Sequence, residues 1–148
     1  MANLNRFEEL ISLLEHNDKV IQGRVIQVEF LINQGRTSTN WVEKFHLAMI
    51  FGHLSHLSSH LEELLEILYQ FLSDRNALDR NWSVTSRCIL GKASPESVQD
   101  IIAQLRSIVP ETSPAVAKRV QTAISVLNEE ESIPKNWVKA ERTKTLTM

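Results

Sequence analysis

Apolar residues recur at alternating intervals of three and four between Asn40 and Ser73. The repeating positions are Leu47, Ile50, Leu54, Leu57, Leu61, Leu64, Leu68 and Phe71. This spacing is typical of an α-helix that packs along a narrow seam against a partner. Asn40 and Glu43 have the spacing of a capping box, in which both side chains bind free amides of the first turn. The pattern predicts one long helix from Asn40 to Ser73.

The preceding segment, residues 5–33, also has apolar residues at a helical period. An alternative interpretation is a β-hairpin over residues 19–32, which are rich in β-branched residues and contain Gly23. We favour the helix because its apolar positions continue the register of the earlier ones, whereas an isolated hairpin is marginally stable. Since residues 35–39 form only a short polar link, the two helices are expected to make a long antiparallel hairpin, residues 5–73.

Three shorter helices are predicted in the rest of the chain. The first runs from about Asp79 to Leu90 and ends at Gly91, because glycine is favoured just past a helix C-terminus. The pairs Ser94-Pro95 and Ser113-Pro114 each place a capping hydroxyl before a proline, which suits the first turn of a helix. Apolar residues follow both pairs at helical spacing. These two helices are expected to form a second, shorter hairpin within residues 79–128.

The predicted fold is therefore all-α: a long helical hairpin, a short helix and a second helical hairpin, about five helices in one bundle-like domain, residues 1–132. Composition agrees with it. Four glycines in 148 residues leave few positions for tight turns, and aromatic residues, which strands favour, are 6% of the chain. Residues 133–148 carry four basic residues around Trp137 and are expected to form a flexible basic tail.

Charge and motif content exclude several functional classes. The net charge of −2 indicates no overall polyanion-binding surface. The single cysteine, Cys88, excludes an intramolecular disulfide, and its apolar neighbours indicate a buried structural residue. No phosphate loop, dinucleotide fingerprint or nucleophile elbow occurs, so we expect neither an enzyme nor a cofactor. Without a secretion signal or a long apolar run, we expect no membrane association and a cytoplasmic or nuclear location.

The predicted long helix has apolar residues outside its seam. Since one partner helix covers one stripe, a wider arc requires a bundle, formed with the C-terminal helices or with another subunit. The function this favours is a non-enzymatic interaction or scaffold (adaptor) protein that assembles with itself, as a homodimer, or with a partner protein in a complex. In the tail, one tryptophan flanked by lysines is typical of a docking anchor. The candidate partner-binding residues are Phe51, Leu65, Leu72, Met49, Ile67 and Trp137.

A histidine stripe offers an alternative function. His53, His56 and His60 would lie along one edge of a continuous helix, with His46 one heptad earlier. Imidazoles at this spacing can bind one metal ion, which would make the protein a metal-binding helical bundle. Two other interpretations remain open. Imidazoles are common at the rim between core and solvent, and a row of them could make an interface sensitive to pH.

A basic stretch offers a second alternative. Arg75, Arg80 and Arg87 surround Trp82, a combination of cations and an aromatic ring that is typical of single-strand or RNA binders. The protein would then be a nucleic-acid-associated subunit of a larger complex. With Lys92 and against Asp79, the stretch has a net charge of about three, which is low for strong binding at physiological salt.

Overall fold

The computed structural model describes residues 25–55, 58–108 and 113–137. Within these ranges the chain is all-α: six helices pack as a bundle and no described residue forms a strand, which confirms the predicted fold class. The helices are α1 (Val25–Thr37), α2 (Trp41–Gly52), α3 (Leu61–Phe71), α4 (Ala77–Lys92), α5 (Val98–Ser107) and α6 (Pro114–Leu127). Short 3₁₀ turns lie at Ser58–His60, Pro95–Ser97 and Lys135–Trp137.

Three of these helices begin at a side-chain cap. The Asn40 side-chain oxygen accepts a hydrogen bond from an amide of α2 at 2.8 Å, and Asn76 does the same for α4 at 2.9 Å. Ser113 caps α6 and is followed by Pro114 in the first turn, as the sequence predicted. Ser94 differs, because its hydroxyl bonds the side chains of Glu96 and Ser97 and a 3₁₀ turn precedes α5.

The prediction of one helix from Asn40 to Ser73 was wrong. Helix α2 ends at Gly52, and α3 begins only at Leu61 after a 3₁₀ turn. A straight rod of that length, about 50 Å, would extend beyond a domain of this size. Two shorter helices instead let both halves of the apolar seam face the same core, in which its described members are buried. The apolar periodicity continues across the break because the seam residues of α2 and of α3 are buried in the same core.

Helix α4 is the central helix of the bundle. It packs against α2, α3, α5 and α6, and residues 83–88 are all buried. A helix buried on every side must satisfy its polar side chains internally. Ser83 and Thr85 do so by donating hydrogen bonds to carbonyls four residues earlier, at 2.7 and 3.0 Å. The predicted short helix, residues 79–90, is therefore slightly longer than expected and lies at the centre of the fold.

Helix α1 decides between the two interpretations of residues 19–32. Residues 25–32 are helical, so the β-hairpin is excluded for them, while residues 5–24 lie outside the described ranges. Val28, Leu31 and Ile32 bury the inner face of α1 against the core. Gly35 lets the helix approach closely, because a Cβ there would lie 3.0 Å from Ile67 and 3.1 Å from Phe51.

The chain after α6 returns to the bundle. Trp137 is only 6% exposed, and the Arg119 guanidinium lies 4.7 Å from the centre of its ring. Ile133 also packs against the core. The expectation of a flexible tail from residue 133 was thus wrong for residues 133–137, because the indole buries apolar area and stacks with a cation. Residues 138–148 lie outside the described part of the chain. None of the described helices is long and apolar enough to cross a membrane.

Candidate protein-binding groove

Most residues expected to contact a partner are buried inside this chain. Phe51, Leu65, Ile67, Leu72 and Trp137 are each at most 9% exposed, and Met49 is partly buried. The wide apolar arc was expected to need either the C-terminal helices or another subunit, and α4 and the other helices of this chain cover it. The alternative that the C-terminal helices complete the bundle accounts for these side chains.

The predicted histidine stripe is interrupted by the end of α2. His46 Nδ1 lies 2.8 Å from the Val42 carbonyl, and His60 Nδ1 lies 3.3 Å from a Glu63 carboxylate oxygen. His53 follows α2 as its C-cap, while His56 is outside the described residues. In the described ranges, no three His, Cys, Asp or Glu side chains are grouped as a metal site requires. The expected spacing depended on a continuous helix, which the chain does not form.

The three arginines of the basic stretch do not share a surface. Arg75 is exposed, whereas Arg80 lies partly buried and donates hydrogen bonds to the carbonyls of Asp74 and Arg75 at 2.8 and 2.9 Å. Arg87 is 2% exposed. The prediction that all three face a nucleic acid is therefore wrong for Arg87, because α4 is surrounded by other helices.

The groove with the clearest chemical character lies between α3 and the chain from Ala93 to Gln104. Its volume is about 640 Å³. One wall is α3, which contributes Glu62, Glu66 and Tyr69, and the opposite wall contributes Glu96 and Asp100. All four carboxylates belong to exposed residues. The remaining lining residues are Leu61, Leu65, Arg87, Ala93, Ser94, Ser97, Ile101 and Gln104.

Among the residues that the structure describes, Arg87 is the one cation that lines this groove. Its guanidinium donates hydrogen bonds to the Leu65 carbonyl and the Gln104 side-chain oxygen, and it lies 5.4 Å from the centre of the Tyr69 ring. Its Nε has no hydrogen-bond partner among the described residues, and it takes part in none of their ion pairs. Burial lowers the pKa of Arg87 to about 10, so the guanidinium is still charged at neutral pH. Arg87 therefore binds residues of both walls of the groove, but it forms no ion pair with any of the four carboxylates.

Four carboxylates against one arginine give the groove lining a net charge of −3. Such a concentration of one sign in a cleft attracts cations more strongly than the same charges on an open surface. Sequence reasoning missed this groove. Glu62 and Glu66 resemble an ordinary solvated helix face, and only the fold brings Glu96 and Asp100 opposite them. The sequence contained one weak signal. Glu62 and Glu66 are four residues apart, as are Glu96 and Asp100, and this spacing places both members of a pair on one face of a helix.

A second polar cluster lies at the start of α4. Lys44 Nζ is 2.8 Å from Asp74, and Asp74 also accepts a hydrogen bond from the Asn76 amide at 2.9 Å. Burial alone would raise the pKa of Asp74, but these hydrogen bonds lower it below its ordinary value. Asp79 is fully buried beside this pair, and burial, a hydrogen bond to Asp74 and the Asp74 charge raise its pKa to about 7. This cluster contributes to the pH dependence of stability.

Cys88 lies in the core of the bundle. It is fully buried, and its sulfur is 3.7 Å from the Ala123 carbonyl. Burial raises the pKa of the thiol to about 12, which keeps it protonated and unreactive at neutral pH. The sequence-based interpretation of a buried structural cysteine is confirmed.

Comparison with known proteins adds no relative to this description. No family model matches the chain, and no curated protein and no solved structure matches it. The interpretation of the groove therefore rests on its own residues.

Proposed function

We propose that the protein is a non-enzymatic interaction or adaptor protein that binds a basic segment of a partner protein in the groove between α3 and α5. The observation that carries the proposal is the charge of this groove, in which Glu62, Glu66, Glu96 and Asp100 surround one buried arginine. Complementary charge of this kind gives specificity and speeds association.

The groove also offers apolar contact to the stems of basic side chains. Tyr69 is 43% exposed, and Leu61, Leu65 and Ile101 also line the groove. Lysine and arginine combine an aliphatic stem with a charged end, and both interact favourably with an aromatic face. A volume of about 640 Å³ is in the range that holds a small ligand or a few side chains. These features favour a short segment that mixes basic and apolar residues.

The other expected functions have less support. The nucleic-acid hypothesis depended on Arg75, Arg80 and Arg87, and Arg87 is buried and lines an acidic groove, where phosphate charges are unfavourable. Self-association stays a prediction, although the apolar side chains from which it was inferred are buried within the chain.

Fluorescence anisotropy with a labelled peptide of alternating Lys and Leu tests the proposal. The double variant Glu62→Gln, Glu66→Gln is expected to bind this peptide about fivefold to thirtyfold more weakly, because each exposed ion pair contributes about 0.5–1 kcal/mol. Raising the salt concentration should weaken wild-type binding and reduce this difference.

The matched control is Glu130→Gln, Glu131→Gln, which removes the same charge from exposed positions after α6, outside the groove. It should bind the peptide as the wild type does. Equal losses in both double variants would mean that the peptide responds only to overall charge, and the proposal would be rejected.

A further inference from the structure

We propose that the partner's basic segment carries one glutamate, which enters the groove and binds the guanidinium of Arg87. This inference rests on the proposed function, because it names the chemistry of the segment that the groove binds. In this arrangement the glutamate lies on Arg87, and the basic side chains on either side of it meet the acidic residues of the two walls, Glu62, Glu66, Glu96 and Asp100.

Arg87 is a buried cation whose charge is not offset by any carboxylate of the described residues. It lines the groove although only 2% of it is exposed. Its guanidinium donates hydrogen bonds to two neutral oxygens, those of the Leu65 carbonyl and the Gln104 side chain, and Nε has no partner among the described residues. Burial lowers the pKa of Arg87, and no described carboxylate counteracts this effect. Because a buried charge without a counter-ion is costly, a carboxylate supplied by a ligand is stabilised here.

One edge of the guanidinium is suited to a carboxylate. Nη2 and Nε lie on the same edge of this planar group, and a carboxylate can accept hydrogen bonds from both at once. In the described chain, Nη2 is bound there by Gln104, whereas Nε is unpaired. Gln104 is a partly buried residue of α5 that also lines the groove. A ligand carboxylate that displaces its amide therefore replaces one bond to a neutral acceptor with two bonds between ionised groups, which are stronger.

The walls of the groove determine which kind of carboxylate it accepts. The lining has a net charge of −3, so an anion without accompanying cations is repelled. Basic residues on both sides of a glutamate offset this repulsion, because two acidic residues lie on each wall. A C-terminal carboxylate has neighbours on one side only and cannot satisfy both directions along the groove. The occupant that fits is therefore a glutamate side chain within a basic segment.

Two labelled peptides test the inference on the full-length protein. Both are the Lys-Leu peptide with acetylated and amidated ends, and one central leucine is replaced by glutamate in the first and by glutamine in the second. Overall charge alone predicts weaker binding of the glutamate peptide, because the groove is negative. The contact with Arg87 predicts the opposite, with the glutamate peptide binding about threefold to tenfold more tightly. Equal or weaker binding of the glutamate peptide, while the glutamine peptide still depends on Glu62 and Glu66, would overturn the inference and leave the proposed function intact.

The variant Arg87→Met shows whether the preference comes from this residue. It should bind the glutamine peptide at least as tightly as the wild type, because the lining becomes more negative, and it should lose the preference for the glutamate peptide. Lys92→Met is the matched control, since Lys92 is an exposed cation of the same helix that does not line the groove. This control should keep the preference. A preference that persists in Arg87→Met would overturn the inference.

A measurement on the wild type covers the case in which Arg87→Met does not fold. The Nε–H resonance of Arg87, which burial protects from exchange with water, should shift in NMR spectra when the glutamate peptide is added and not when the glutamine peptide is added. Equal shifts with both peptides, or no shift with either, would overturn the inference. A preference for the glutamate peptide that does not depend on Glu62 and Glu66 would support the inference and reject the proposed function. Failure of both peptides to bind would reject both proposals.

Discussion

Asp79 is a buried acidic residue whose environment makes the stability of the bundle depend on pH. It is fully buried beside Asp74, and the two carboxyl groups can share a hydrogen bond only when one of them is protonated. Its neighbours include Asp74, whose charge opposes ionisation of Asp79, and Lys44, which favours it. A buried carboxyl in this setting is more stable when protonated.

The folded protein is therefore expected to lose stability as pH rises from about 4 to about 7. The pKa of Asp79 is about 7 in the fold against 3.8 as the ordinary value, so the folded state holds a proton that the unfolded state releases. Between these two pH values Asp79 takes up a proton when the protein folds. Because protons become scarcer as the pH rises, the free energy of unfolding falls with each unit of pH. Asp74 acts in the opposite direction. Its lowered pKa means that the ionised carboxylate stabilises the fold near neutral pH, and this stabilisation is lost as the pH falls and Asp74 is protonated.

The substitution Asp79→Asn should remove this decline. We expect the variant to be more stable than the wild type at pH 7.5, by on the order of 1–3 kcal/mol, and to differ much less at pH 4.5. Urea denaturation at the two pH values measures the difference. The same pH dependence in variant and wild type would show that Asp79 ionises as freely in the fold as in the unfolded chain.

At the scale of elements, the close approach of α2 and α4 at Gly52 organises the first half of the bundle. A Cβ at Gly52 would lie 2.8 Å from the Ser86 hydroxyl oxygen. That hydroxyl donates a hydrogen bond to the Ala48 carbonyl of α2, so it has little freedom to move. Helix α4 thus passes the last turn of α2 so closely that an alanine methyl group at position 52 would collide with the Ser86 hydroxyl.

Gly52→Ala is expected to destabilise the fold by about 1–3 kcal/mol, although alanine favours helix more than glycine does. Adding Ser86→Ala removes the oxygen that the new methyl group would meet, so the double variant should lose less stability than the two single variants together. Urea denaturation of all three measures this coupling. Strict additivity would mean that the two positions do not meet.

These elements also show which features the sequence could predict. Periodicity and caps are local, so α6 and the starts at Asn40 and Ser113 followed from them. The interruption after Gly52 did not, because both flanking helices bury the same apolar stripe and the period continues through the break. Arg87 had the residue type of a surface cation, and only the central position of α4 buries it.

At the scale of the whole molecule, the site is a product of tertiary packing. Glu62 and Glu66 on α3 face Glu96 and Asp100 across thirty or more positions of sequence, and no local pattern joins the two pairs. The all-α fold could be predicted because each helix carries its own signal. The groove could not, because it depends on how α3 and α5 pack against α4.

Reversing the charge of one wall tests the central claim most directly. Glu62→Lys with Glu66→Lys changes the net charge of the lining residues from −3 to +1 while leaving Arg87 and the core in place. Peptide titrations monitored by anisotropy should then show the basic Lys-Leu peptide losing at least tenfold in affinity. A matched Glu-Leu peptide should gain measurable binding. Undiminished binding of the basic peptide by this variant would contradict the account of the groove as the site that recognises a basic partner.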